Sequence, residues 1–277
     1  MTDYRPRGLQ VLPPVVKNII IINVIMVVLQ FVLGKQGINL GDYLGLHYWR
    51  SPMFRWWQPI THLFMHGDPY DVQLTILHIF SNMFALWMFG SVLENLWGPK
   101  RFFIFYMVCG LGAAFCHLGV LTFQFENFHN AFMQYQEHPG YDAFVRFAID
   151  HHISVNPDVM AEWARQKTSP QFIQSSIDAL QQNYSTMINE NTVGASGAVF
   201  GVLFAFGYLF PNTPLYLFFI PIPIPAKYFV FFYAVFELSA GLKNTAGDNV
   251  AHFAHLGGLL FAFILLRIWK TNRKRFY

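Results

Sequence analysis

Gly194-Ala195-Ser196-Gly197-Ala198-Val199-Phe200-Gly201-Val202-Leu203-Phe204-Ala205 is an apolar run with one hydroxyl near its start and a small residue at every fourth place, Gly197, Gly201 and Ala205. Small residues at that spacing let helix backbones approach closely in lipid. The later run repeats the pattern with Ala254, Gly258 and Ala262. Ser196 precedes the first stripe by one residue and His255 follows the start of the second by one. Two facing stripes therefore set serine beside histidine. Polar groups in apolar spans are costly, and they mark either function or a buried partner.

The whole chain is 54% hydrophobic, 18% aromatic and only 12% charged. A soluble domain carries about twice that charge fraction, and here the apolar residues come in long runs. The expected fold is an all-α polytopic membrane protein. Its six spans lie near 18–34, 74–96, 101–123, 193–211, 226–242 and 250–268, each close to bilayer length except the short fifth. No cleavage site follows the first run, which reads as a retained span. Lys and Arg crowd one side: Arg5, Arg7, Lys17, Lys100, Arg101, Lys227, Arg267, Lys270 and Arg273 among them. That bias predicts both termini in the cytoplasm. The chain then divides into an N-terminal tail, 1–17, a six-helix membrane domain, 18–268, and a basic C-terminal tail, 269–277. A long outer-loop insertion, 124–190, separates spans three and four.

The connections carry their own signals. Pro211 to Pro225 holds too many prolines for continuous helix and is expected along the interface. The insertion is polar and acidic and is expected to be partly helical. Ser169-Pro170 reads as a helix start, with Phe172, Ile173, Ile177 and Leu180 on one face. That face is expected against the first outer loop near Trp56 and Trp57. Cys109 and Cys116, seven apart on one apolar run, suggest a buried helix face rather than a disulfide. No phosphate-binding loop, dinucleotide fingerprint, zinc-protease helix or nucleic-acid motif is present, so no nucleic-acid partner is expected.

His78 and Asn82 are four apart and share a helix face. With Ser196 and His255 they come early in spans that run in the same direction, so similar depth permits them to meet. His78, Asn82 and the free N–H groups at a helix start near Ser196 suit an oxyanion hole. His62, His66, His78 and His252 are expected to keep the site wet. His62-x-x-x-His66 has zinc-compatible spacing but lacks a following Glu and any outer-loop cysteine, so no metal and no cofactor are expected. Glu237 reads either as a carboxyl bonded to a neighbour or as a latch on a substrate gate.

Gly194-Ala-Ser196-Gly197, His78-x-x-x-Asn82 and Ala254-His255-Leu-Gly-Gly258, in that arrangement on spans four, two and six, resemble the rhomboid intramembrane serine proteases. Trp57-Gln-Pro-Ile-Thr-His62 with His66 is similar to the start of that family's second conserved block. The resemblance implies a six-helix core and a Ser–His dyad without an aspartate. By position Ser196 is the nucleophile and His255 the base, and His78, Asn82 and the Ser196 N–H bind the oxyanion. Gly194, Gly197 and Gly258 support the packing, and Phe200 sits where the family has an aromatic against the histidine ring. Two departures stand out: Gln58 follows Trp57 where the family often has Arg, and the insertion is long. The implied activity is endopeptidase cleavage of transmembrane protein substrates near the outer face of the lipid bilayer. The alternative is a non-catalytic relative that binds transmembrane clients. The expected location is a bacterial inner membrane.

Overall fold

In a computed structural model of the protein, residues 10–217, 220–243 and 251–273 are described. Parts of the two expected tails, 1–9 and 274–277, and the expected start of the last span at 250 lie outside them. The described chain is mostly helical. Nine helices of substantial length occur in it: α1 (Pro14–Gly34), α2 (Val72–Trp97), α3 (Pro99–Glu137), α4 (Tyr141–Asp150), α5 (Pro157–Arg165), α6 (Pro170–Asn189), α7 (Ser196–Leu209), α8 (Ala226–Lys243) and α9 (His252–Arg273). Helices α1, α2, α3 and α9 are long and apolar enough to cross a membrane. Their outward faces carry Ile25 and Val28 on α1, Leu77 and Phe80 on α2, Phe103 and Phe115 on α3, and Phe263 and Ile264 on α9, all exposed. Apolar side chains facing outward at this density suit lipid, not water.

Helix α7 is the hub. Its 14 residues begin at Ser196, and Ala198, Val202 and Ala205 are fully buried. It packs on α2, α3, α8 and α9. The expected stripes do face each other: a Cβ on Gly258 would collide with the Gly197 carbonyl, and one on Gly201 would stand 3.0 Å from the Gly258 carbonyl oxygen. Cys109 lies in the same seam, fully buried against Gly201, and Cys116 meets Gly257; both thiols are free. A polar tie holds the start of α1. The buried Glu94 carboxylate on α2 accepts hydrogen bonds from the N–H groups of Val15 (2.9 Å) and Val16 (2.8 Å). These are donors that the first turn of a helix cannot satisfy itself.

Three readings of the connections change. The proline-rich stretch is a hairpin, β3 (Pro214–Leu217) pairing antiparallel with β4 (Ile220–Pro225). Helix α3 does not stop near 123 but continues to Glu137, because Phe125, Phe128, Phe132 and Tyr135 keep one buried stripe through a polar segment. The rest of the insertion is helical almost throughout. Helix α6 does start at Pro170, although the Ser169 side chain makes no capping bond. Its apolar face does not go to Trp56, which is 80% exposed. It joins a second core with Phe128, Phe132, Tyr135, Phe144, Phe147 and Trp163. That core leans on the first outer loop through other residues. Arg50 pairs with Glu126, Trp49 Nε1 donates to Thr122 Oγ1 (2.9 Å), and Ser51 Oγ donates to Asn189 Oδ1 (2.8 Å).

Candidate active site

The approach to Ser196 is set by the backbone. Short strands β1 (Leu46–His47) and β2 (Asn191–Thr192) pair antiparallel, tying the first outer loop to the chain entering α7. The Gly194 N–H then donates to the His62 carbonyl (3.0 Å), and Gly194 takes φ +132°. Only glycine adopts that conformation readily. A Cβ there would also stand 3.1 Å from His78 Nε2 and 3.4 Å from Ser196 Oγ. Gly194 therefore lies close against both the serine and His78. Ser196 is the first residue of α7, not one further down a span as the sequence suggests. The N–H groups of that first turn have no helical acceptor and stay available.

His255 is placed from three sides. The Phe200 ring, one turn beyond Ser196 on α7, stacks on it at 4.1 Å and 4°. The seam of Gly197 and Gly258 brings its backbone in, with the Ala254 carbonyl oxygen 3.3 Å from where a Gly197 Cβ would be. Its Nδ1 lies 2.8 Å from Glu237 Oε2. His252 Nδ1 meets the same oxygen at 2.7 Å. Of the two readings of Glu237, the bonded carboxyl is the one found, and the neighbour is the candidate base itself. Among the described residues no hydrogen bond joins Ser196 Oγ to His255; catalytic hydrogen bonds often tighten only with substrate bound.

His78 and Asn82 do share a face of α2. The His78 ring meets His66 edge-on at 5.0 Å, and Asn82 Nδ2 donates to His66 Nε2 (3.1 Å), leaving its second amide hydrogen for another acceptor. His66 is itself clamped by Gln30 of α1, whose amide nitrogen donates to the His66 carbonyl (3.1 Å) and whose oxygen accepts from the His66 N–H (3.2 Å). Sequence reading misses Gln30, and it misses His117 of α3, whose Nε2 bonds Thr192 Oγ1 at 2.8 Å. Neither belongs to a motif that spacing could reveal. The histidines do not form the expected wet ring. His62, His66 and His252 are all buried, and His62 Nδ1 donates to the Gln58 carbonyl (3.0 Å). Burial pushes the His62 ring down to about 4 and His66 down to about 3, so both are neutral at physiological pH.

Gln58, the departure in the first outer loop, is the loop's own anchor. It is fully buried. Its oxygen accepts from the N–H groups of His47 (3.3 Å) and Arg55 (3.0 Å), and its amide donates to the Met53 carbonyl (3.0 Å) and His47 Nδ1 (3.1 Å). As for metals, neither His62 nor His66 joins a cluster of three or more ligand-type residues among the described residues. Glu237, His252 and His255 do offer three ligand-type atoms within 4.8 Å. Around a tetrahedral zinc with bonds of 2.0–2.2 Å, ligand atoms would stand about 3.3 Å or more apart. The 2.7 and 2.8 Å separations are hydrogen-bond lengths instead.

Comparison with known proteins extends this picture. The Rhomboid domain family model matches residues 53–125 and 170–271, leaving out 126–169. The chain is 28% identical over 218 residues, 78% of its length, to RHOMBOID-like protein 12, mitochondrial, of Arabidopsis thaliana. It is 26% identical over 202 residues, 72% of its length, to Rhomboid protein 1, mitochondrial, of Saccharomyces cerevisiae. The matches cover 47% and 40% of those proteins, so the chain aligns with less than half the length of each. Both are eukaryotic and named mitochondrial. This overturns the expectation of a bacterial inner membrane, and with it the cytoplasm as the compartment of both termini.

Proposed function

The chain belongs to the rhomboid family, and from that membership we propose that it is an intramembrane serine endopeptidase in a mitochondrial membrane. The observation that carries the proposal is the Phe200 ring stacked on His255 one turn from Ser196, across a glycine seam with no room for a Cβ. Ser196 Oγ attacks the scissile carbonyl carbon, and its proton passes to His255 Nε2. The carbonyl electron pair moves to oxygen and is met by the Ser196 N–H, Asn82 and His78. Collapse breaks the C–N bond, and the His255 proton leaves on the amine. Water then hydrolyses the acyl-enzyme through the same base.

Depth suits this chemistry. At 1.5 Å per residue, α7 spans about 21 Å, against a hydrocarbon core of about 30 Å. Ser196 then lies below the outer surface, where a transmembrane substrate exposes a bond as its helix frays. In this reading α7 and α8 complete six spans, both basic termini lie on one face, and the segment 124–190 lies on the other. The substrates are transmembrane proteins presented from the lipid bilayer, and no cofactor takes part. The runner-up, a rhomboid-like binder of transmembrane clients, draws on the missing Ser196–His255 hydrogen bond. The experiment is labelling with a serine-reactive fluorophosphonate, alongside cleavage of a transmembrane test substrate in detergent. Both should occur, and both should vanish in Ser196→Ala and His255→Ala, since nucleophile and base act as a unit. Turnover by purified Ser196→Ala would sink the mechanism.

A further inference from the structure

Helix α8 is apolar along most of its length, with Phe231, Phe232 and Phe236 turned outward; Glu237 is buried at 3% exposure. A carboxylate in such a place is costly unless its lone pairs are used. They are used by two imidazoles on α9, both of which reach the same oxygen. We propose that Glu237 is a positioning residue for His255, so that the site works as Ser196–His255–Glu237 and not as a two-residue dyad. The inference rests on the protease reading given above.

An ionised carboxylate only accepts hydrogen bonds. The 2.8 Å contact therefore assigns the His255 proton to Nδ1 and leaves Nε2 with a free lone pair, the form a base needs. His252, donating at 2.7 Å, stops the carboxylate from turning away. The stacked Phe200 fixes the ring plane, and Glu237 fixes the ring's rotation within it. When Nε2 takes the serine proton the ring becomes a cation, and the carboxylate at Nδ1 stabilises it. Triad enzymes assign this role to a buried acid, and losing its charge there, with the geometry kept, lowers kcat about 10⁴-fold.

The alternative is that Glu237 simply ties α8 to α9. Glu237→Gln separates the two, because the amide keeps the shape and one acceptor oxygen but not the charge. The readout is the second-order rate of fluorophosphonate labelling of the full chain in detergent with a chelator present, beside kcat and KM for the transmembrane substrate. In labelling, the Ser196 Oγ–P bond forms, P–F breaks, fluoride leaves and the serine proton goes to His255. No substrate helix has to unwind, so the rate reports activation of the serine alone. Glu237→Gln should label and turn over about 10²–10⁴ times more slowly at unchanged KM, and Glu237→Asp should recover part of the loss. Labelling of folded Glu237→Gln at the wild-type rate overturns the proposal. Should that variant not fold, histidine ¹⁵N and ¹H spectra of the wild type decide, with His255 assigned by its loss in His255→Gln. A neutral ring with a strongly deshielded proton on Nδ1 supports the proposal, and one protonated on Nε2 overturns it. Failure of the protease reading would look different, since wild-type protein would then show no labelling that depends on Ser196.

Discussion

Gly194 concentrates two demands in one residue, a positive φ and the absence of a Cβ beside His78 and Ser196. Gly194→Ala should leave a folded protein whose fluorophosphonate labelling falls at least tenfold, an effect of about 1.4 kcal/mol or more. Wild-type labelling in that variant would show that the turn has slack. Asn82→Ala removes a donor and should lower kcat by about 10²–10³ with a smaller change in KM, the usual cost of one oxyanion contact. Full activity would make the side chain a prop for His66 and nothing more. The motif residues are legible in the sequence because polar atoms in apolar runs are few and helix spacing constrains their positions. Folding brings Ser196, His78, Phe200 and His255 into one neighbourhood. Glu237 stands out for the same reason, but its partners lie on another helix, and no periodicity in the chain points from one to the other. Gln58 stands out in the sequence only as a departure because only its residue type is visible there; its four contacts run to His47 of β1 and to Met53 and Arg55 in the loop after it.

Hydrophobic runs locate α1, α2, α3 and α9, the four helices long and apolar enough to cross a membrane, since a span must be apolar over most of its length. Their ends are harder to read. Helix α7 begins late because the β2 pairing and the positive φ of Gly194 hold the preceding chain out of the helix, and α3 ends late because its buried aromatic stripe outlasts its apolar average. Glu94 shows a tie that composition hides. It is 2% exposed and holds the start of α1. Glu94→Ala leaves two backbone donors of α1 unpaired. Hydrogen bonds to a charged group contribute about 1.5–3 kcal/mol each, so the variant should unfold at a clearly lower temperature. Its folded fraction should still label at Ser196, because the tie lies at the opposite end of α2 from His78. A melting temperature equal to wild type would mean that water or lipid replaces the carboxylate.

The molecule as a whole has two cores, one around α7 within the membrane helices and one built from the far end of α3 with α4, α5 and α6. Trp163 is 2% exposed in the second. Trp163→Ala should destabilise that core by about 3–5 kcal/mol. Melting should then show an early transition, followed by amide hydrogen exchange of α4 to α6, while the Ser196 labelling rate at low temperature stays within twofold of wild type. A matching loss of labelling would make the second core part of the active-site scaffold. The sequence marks this region as an addition but not as a core, since its aromatics are scattered among polar residues and converge only after four helices fold back on one another. From 124 to 137 helix α3 runs about 21 Å past its apolar stretch. In the proposed orientation it would hold its aromatic cap beside the mouth through which substrates would be cut. A client with a compact folded head attached directly to its membrane segment would strike that post before its backbone reached the serine. One with a slack tether would pass. Clearance above the bilayer, and not only the sequence around the cut, would then sort the clients.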